Sequence, residues 1–436
     1  MQRVGERRRR ASRRAGWLGA AAGGAALALL LAACTSSSSH SGTRSPASKK
    51  GPLTSAAGSP AASTGAGTSA AAGPAVVTTS AHGVISPATP VTVAIQNGKL
   101  TAVTMVNPSG RKVRGAMAPG GTSWHNTEDL GYDKTYRVSA QGVDASGAKI
   151  TKTTTVRTVS PGNQTMPSIL DVYGSSIGTG QTYGIGMIVK VHFDEQVDEA
   201  KAERALQVTT TPSVTGGWYW DDDQNAFWRP QSYYAPGTKV TVKAKVYGVR
   251  LGKGLYGQAD QEASFTIGPR HIAIANAKTH YVKVYFSGKL VRTMPTSMGQ
   301  GGTVQGKWGP IYLWTMPGTY TVLGHENPAT MSSDSYGLPA NSPLGYAPEK
   351  VPYATKISTD GIYLHELDAT VWAQGHQNLS HGCLNLNYTN AKWYYRTSRV
   401  GDIVKVIHSG GPHITFDQGG QWDVPWSTWL QHSALH

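Results

Sequence analysis

Two cysteines in 436 residues, Cys34 and Cys383, leave this chain with almost no sulfur chemistry. Cys34 belongs to an export signal, so any cysteine reaction in the finished protein rests on Cys383. No domain can carry the cross-sheet disulfide of antibody-type sandwiches. The chain also lacks an apolar run that reads as a membrane span; Trp17 to Leu31 follows a basic start and reads as a signal peptide. Neither a His-Glu-x-x-His helix nor a second cysteine pair is present. That argues against a zinc site, although His365, His376, His381 and Cys383 are all possible ligands. Nothing resembles a nucleic-acid-binding motif, and acidic residues are few, 25 against 40 Lys and Arg.

What is present first fixes the compartment. Seven arginines between Arg3 and Arg14, set against Glu6, put +6 of the formal +15 charge in the leader and leave about +9 on the rest. A basic exported body favours anionic surroundings, which outside a bacterial membrane are wall polymers and lipid headgroups. Leu31-Ala32-Ala33-Cys34 resembles a lipobox, implying cleavage before Cys34 and a lipid on its sulfur that tethers without spanning. The alternative is a soluble secretion signal in which Cys34 is merely small. Ser12-Arg13-Arg14 fits a twin-arginine exporter, so the export route stays open. The expected location is extracytoplasmic, lipid-anchored at the cell membrane and facing the wall. From 35 to 85 the composition is Ser, Ala, Gly, Thr and Pro, which cannot bury a core. Such a tether of roughly 50 residues reaches about 40 Å.

Beyond the tether the pattern is short strands and turns, and the fold class is mainly β. Val91 to Ile95 alternates and Asn97-Gly98 reads as a hairpin turn. Tyr136 to Ala140, the turn Asp144-Ala145-Ser146-Gly147 and Thr153 to Val156 continue the period of two. Val189 to Phe193 and Val240 to Val246 repeat the style. Two immunoglobulin-like β-sandwiches are expected, at 86–160 and 161–268. Their bland role is that of spacers, and Trp218, Tyr219 and Trp220 read as exposed aromatics or a domain interface. A β-rich third domain follows at 269–409, with Ile272 to Ile274, Tyr281 to Tyr285 and a turn at Ser287-Gly288. A tail at 410–436 spaces Trp422, Trp426 and Trp429 by four and three, as one face of a short helix clasped onto the body.

The chemistry gathers around Cys383. A thiol becomes a nucleophile when a neighbouring base takes its proton. The segment Gly361 to His365 reads as a strand ending near His365, a rigid mount for an imidazole within reach of the sulfur. Gly382 lets the loop bend without a Cβ, freeing the amides beside Cys383 to face an oxyanion.

His365, then 18 positions later Cys383, within the run Gln374-Gly375-His376-Gln377-Asn378-Leu379-Ser380-His381-Gly382-Cys383-Leu384-Asn385, resembles the active-site signature of the L,D-transpeptidases, the YkuD-type catalytic domain. Met331 through Gly337, Asn341 through Tyr346 and Gln421 through Trp426 strengthen the likeness. The whole body is similar to the lipid-anchored mycobacterial-type members. The resemblance implies a peptidoglycan cross-linking enzyme that needs no cofactor and no metal. Cys383 would attack the third residue of a tetrapeptide stem and expel D-Ala. A side-chain amine of a neighbouring stem would then resolve the acyl-enzyme into a 3→3 link.

By the same resemblance His365 is the base, and His381 and Gly382 shape the loop, with the Gly382 and Cys383 amides as oxyanion donors. Ser380 and Asn385 support the site. Tyr336, Tyr346 and Met331 belong to a substrate lid spanning Pro328 to Tyr346. The implied partners are peptidoglycan stem peptides, carbapenem-type β-lactams as inhibitors, and the membrane through the lipid, with no nucleic acid. Relatives carry serine directly after the histidine, where this chain has Glu366. A carboxylate there is expected to raise the thiol pKa and to shift the pH optimum or the acceptor. Two alternatives remain at this stage: a thiol hydrolase acting on stem peptides with water as acceptor, and a non-catalytic wall-binding lipoprotein.

Overall fold

The computed structural model describes residues 73–436; the expected signal peptide, Cys34 and most of the tether lie outside the described residues. The first sandwich packs the sheet of Val76–Thr79, Thr92–Gln96, Ser123–Asn126 and Gly115–Met117 against that of Val84–Ile85, Lys149–Thr158, Thr135–Asp144 and Gly98–Val106. Alternation sends Tyr136, Val138 and Ala140 into a core with Val91, Met105 and Leu130.

Two expectations need correcting here. The sandwich begins at Val76, inside the segment read as tether. One inward valine, Val77, suffices because its strand pairs along Val76↔Gln96 to Thr79↔Val93. Asn97-Gly98 is not a hairpin turn: the strands before and after it lie in different sheets. The left-handed Asn97 (φ 55°) turns a corner between the sheets, a conformation that the same residue pair supplies equally well. The hairpin after Asp144 does form. The Asp144 carboxylate accepts from the Ser146 and Ala148 amides, and Gly147 takes φ 86°.

The second sandwich pairs Pro167–Leu170, Val189–Phe193, Asn225–Pro230 and Gly216–Asp222 in one sheet, with Thr182–Tyr183, Gln261–Ile267, Lys239–Ala244 and Leu206–Thr211 in the other. Trp218 and Trp220 are buried, not exposed, because they share the inward face of their strand. Tyr219 points the other way and stacks on Phe416 and His432.

The third domain builds one core between two sheets. Five strands run in the order Lys289–Pro295, Tyr281–Phe286, His271–Asn276, Ile403–Ile407, Gly318–Thr321. Four more run Gly324–Glu326, Ala354–Lys356, Tyr363–Glu366, Leu384–Leu386. Val282, Met294, Tyr320, Leu364, Leu384 and Val404 fill the space between them. Ser287 and Gly288 both adopt positive φ, as a two-residue hairpin requires. Two small hairpins stand apart from these sheets: Thr303–Gly306 with Gly309–Tyr312, and Ala329–Met331 with Glu349–Val351.

The tail helix Trp426–Gln431 follows the short turn Gln421–Asp423 and packs on the second sandwich. Trp422, Trp426 and Trp429 surround the Arg229 guanidinium at 4.8, 5.3 and 4.4 Å. The indoles of Trp422 and Trp429 donate to the carbonyls of Gly186 and Gly217.

Candidate active site

The strand Tyr363–Glu366 runs parallel to Leu384–Leu386 in the register His365↔Asn385. Cys383 immediately precedes the partner strand, so that pairing sets it beside Tyr363 at the start of the histidine strand, two residues before His365. A loop of glycine and short polar residues leads into the cysteine, and the segment Thr296 to Gln300 straps it in place. The Ser380 amide donates to Met298 O and the Gln300 amide to Ser380 O. Ser297 and Asn385 exchange both backbone bonds, and the Leu379 amide donates to Ser297 Oγ. Asn378 accepts from the Met298 amide and donates to Ala277 O. The Ser380 hydroxyl donates to Cys383 O at 2.6 Å, and Thr315 Oγ1 donates to Gly382 O at 2.7 Å. Gly382 itself sits at φ 143° with Trp314 O only 3.3 Å from where a Cβ would be. The torsion disfavours any side chain there, and the space leaves one only a tight fit.

The thiol of Cys383 is partly buried and donates to Gly361 O at 3.6 Å, so in this state it is not hydrogen-bonded to His365. Burial pushes its pKa up to about 12, with the Asp360 and Glu349 carboxylates adding to the rise. His365 is buried, and burial pulls its pKa down to about 4. The pair therefore rests as neutral thiol and neutral imidazole. His365 Nδ1–H donates to the backbone carbonyl of Glu366 at 2.8 Å, which leaves Nε2 as the lone-pair nitrogen. The Glu366 carboxylate turns away and accepts from the Asp368 amide at 2.7 Å. The carboxylates that bear on the thiol are Asp360 and Glu349, so the electrostatic effect expected of Glu366 has no geometric basis. The expected pair of oxyanion amides is reduced to one, because the Gly382 N–H is bonded to Ser380 Oγ at 3.1 Å.

Two clefts meet at Cys383. The first, about 280 Å³, is walled by Tyr312, Trp314, Tyr336 and Tyr346, with Asp360 and Gly361 at its edge. The second, about 230 Å³, takes in His365, Met331, Glu349, Ser380 and Asn385. Cys383, His381 and Tyr346 border both. His381 is held neutral by burial, and its Nε2, like the Tyr336 hydroxyl, is buried without a hydrogen-bond partner. Unpartnered polar atoms of this kind are available to a bound substrate. The lid is laced to itself: Ser333 Oγ donates to Tyr346 O and accepts the Tyr346 amide. All the residues expected at the site except His376, which is exposed on the surface, thus surround one sulfur. Trp314, Thr315, Asp360, Gly361 and the hairpin carrying Tyr312 were not legible as site residues. They lie outside the cysteine run and have no fixed spacing from it.

A nucleophile-type thiol beside an accepting imidazole, at the junction of two peptide-sized clefts, defines an acyl-transferring thiol enzyme. Residues 270–406 match the L,D-transpeptidase catalytic domain family, and residues 82–250 match the bacterial Ig domain family. L,D-transpeptidase 2 of Mycobacterium tuberculosis is 40% identical over 360 residues, covering 82% of this chain and 84% of the relative. L,D-transpeptidase 5 of the same species is 34% identical, covering 80% and 74%. Among solved structures, an L,D-transpeptidase in complex with imipenem is 28% identical over 55% of this chain and 99% of its own, with a TM-score of 0.44. L,D-transpeptidase 3 of M. tuberculosis with a faropenem-derived adduct is 29% identical over 52% and 94%, at a TM-score of 0.42. The chain belongs to the L,D-transpeptidase family.

Proposed function

We propose that this enzyme cross-links peptidoglycan by joining the third residues of two stems through an acyl-enzyme on Cys383. The observation that carries the reading is the pair of clefts meeting at one sulfur, with His365 in the second only. His365 Nε2 takes the thiol proton as the sulfur attacks the third-residue carbonyl. The oxyanion is held by the Cys383 amide, with the Tyr336 hydroxyl as the second donor in place of the engaged Gly382 amide. The imidazolium then protonates the departing D-Ala amine. By microscopic reversibility the acceptor amine enters where the leaving amine departed, on the His365 side. It gives its proton to His365 as it displaces the thiolate, which is reprotonated. The acyl part of the donor accordingly occupies the first cleft. His381 and Gly382 shape the loop, Ser380 fixes the Cys383 carbonyl, and Tyr336, Tyr346 and Met331 close over the substrate.

The location belongs to the same reading. The signal, the lipobox cysteine Cys34 and the polar tether would hold the enzyme outside the membrane, within reach of the wall. The sandwiches would act as spacers. Carbapenem-type β-lactams, one of which, imipenem, is present in a relative's solved complex, would acylate Cys383. Intact-protein mass spectrometry after incubation with a carbapenem and with a tetrapeptide stem tests the proposal. Wild type should gain both adducts and Cys383→Ala neither; dimeric 3→3 products distinguish cross-linking from hydrolysis, which would yield only tripeptide. A folded wild type that forms no adduct would sink the reading.

A further inference from the structure

Asp360 borders the first cleft one residue before Gly361, whose carbonyl accepts the Cys383 thiol. Its two oxygens are held by neutral donors, the Ser358 hydroxyl at 2.5 Å and the Gln418 side-chain amide at 2.7 Å. No Lys, Arg or His forms an ion pair with it among the described residues. It is the one charged side chain lining that cleft, where His381 is held neutral by burial. The same cleft is lined by the rings of Tyr312, Trp314, Tyr336 and Tyr346. A fixed carboxylate sharing one cleft with aromatic rings is the chemistry that selects an ammonium group, through a charge-assisted hydrogen bond and cation–π attraction. Asp360 is exposed, and its two neutral donors orient it without neutralising it.

We propose that Asp360 is a specificity-determining residue that binds the side-chain ammonium of the donor stem's third residue. The inference rests on the peptidoglycan reading, which places the acyl half of the donor in this cleft. A third residue bearing an amine at the end of its side chain would reach from the thioester carbonyl along the cleft to the Asp360 edge. The attacking amine approaches from the His365 side and does not meet Asp360. The second cleft has its own carboxylate, Glu349, but no side-chain donor holds it among the described residues, and the cleft has a single aromatic wall in Tyr346.

The test is single-turnover acylation of the full-length enzyme, followed by intact mass. The donors are a tetrapeptide stem with a free diaminopimelyl amine and the same stem N-acetylated at that amine. Wild type should acylate faster with the ammonium donor, by about fivefold. Asp360→Asn and Asp360→Ser should bring that ratio close to one, whereas Glu349→Gln should retain it. A ratio unchanged in both Asp360 variants, or lost in Glu349→Gln instead, would overturn the assignment. So would a defect confined to the second half-reaction, measured by adding an amine-bearing tripeptide acceptor to enzyme already acylated by the N-acetyl donor, since that would give the ammonium to the acceptor. Failure of wild type to acylate with either stem would instead count against the peptidoglycan reading itself.

Discussion

At the residue scale, the environment of His365 explains how this site tolerates a carboxylate directly after the base. The imidazole is oriented by a backbone carbonyl, which any residue at 366 provides, and the Glu366 side chain is occupied by the Asp368 amide. Glu366→Ser should therefore leave the pH profile of acylation superimposable on wild type. A displacement of the profile by about half a unit or more would show that the carboxylate reaches the thiol after all. His365 supports a second prediction. Its folded pKa, about 4, lies below the ordinary value of 6.5. Between those values the unfolded chain binds the proton and the native protein does not, so stability falls as pH drops from 6.5 and the loss is complete below about 4. The full effect is ~3 kcal/mol. His365→Gln should flatten this part of the stability-pH curve, followed by urea unfolding between pH 4 and 7. An identical slope would mean that the imidazole is not excluded from water. The nucleophile and the base were legible in the sequence because they sit on a dense local run. Asp360 and Thr315 were not, because nothing but the fold brings them to the sulfur.

At the element scale, the lid and the hairpin ending at Tyr312 act as one wall. The Lys307 amide donates to Gly337 O, and the Trp308 ring lies where a Cβ on Gly337 would sit. The lid keeps its shape through Ser333, whose hydroxyl both donates to and accepts from the Tyr346 backbone. Ser333→Ala removes both bonds at a buried position and should loosen the lid by about 1–2 kcal/mol. The expected signature is a several-fold rise in KM for the stem peptide with the melting temperature lowered by only a few degrees. An unchanged KM would separate the lid's order from substrate capture. Strands of this protein could be read from alternation because one face of each is buried. Their pairing could not: a local signal such as Asn97-Gly98 specifies a left-handed residue, and the same torsion serves a hairpin or a corner between sheets. The start of the first sandwich was missed for a related reason, since an edge strand needs little apolar content of its own when its partner supplies the core.

At the scale of the whole molecule, the second sandwich and the catalytic domain are joined as one body through backbone and side chains. The Gly184 and Gly186 amides donate to Val400 O and Gly401 O, and Ile403, on a central strand of the five-stranded sheet, is buried in the sandwich core. The tail closes the other side. Asp423 accepts the Thr319 amide of the catalytic domain, while the indoles of Trp422 and Trp429 bond to the sandwich. Arg229 lies at the centre of this clasp, reaching the Val424 carbonyl at 2.7 Å; burial lowers its pKa to about 10, still well above neutrality. Its charge is compensated by three indole faces and by carbonyls, not by a carboxylate, so its removal takes away packing and cation–π attraction together. Arg229→Ala should cost about 2–4 kcal/mol and free the tail from the sandwich. Calorimetry should then show the unfolding of the second sandwich and of the catalytic domain separating into two transitions, whereas in wild type they should be merged. Carbapenem acylation of Cys383 should persist below the first transition, because the strap and the paired strands that hold the thiol lie within the catalytic domain. If acylation were lost while both domains remained folded, the clasp would instead be part of the apparatus that shapes the site.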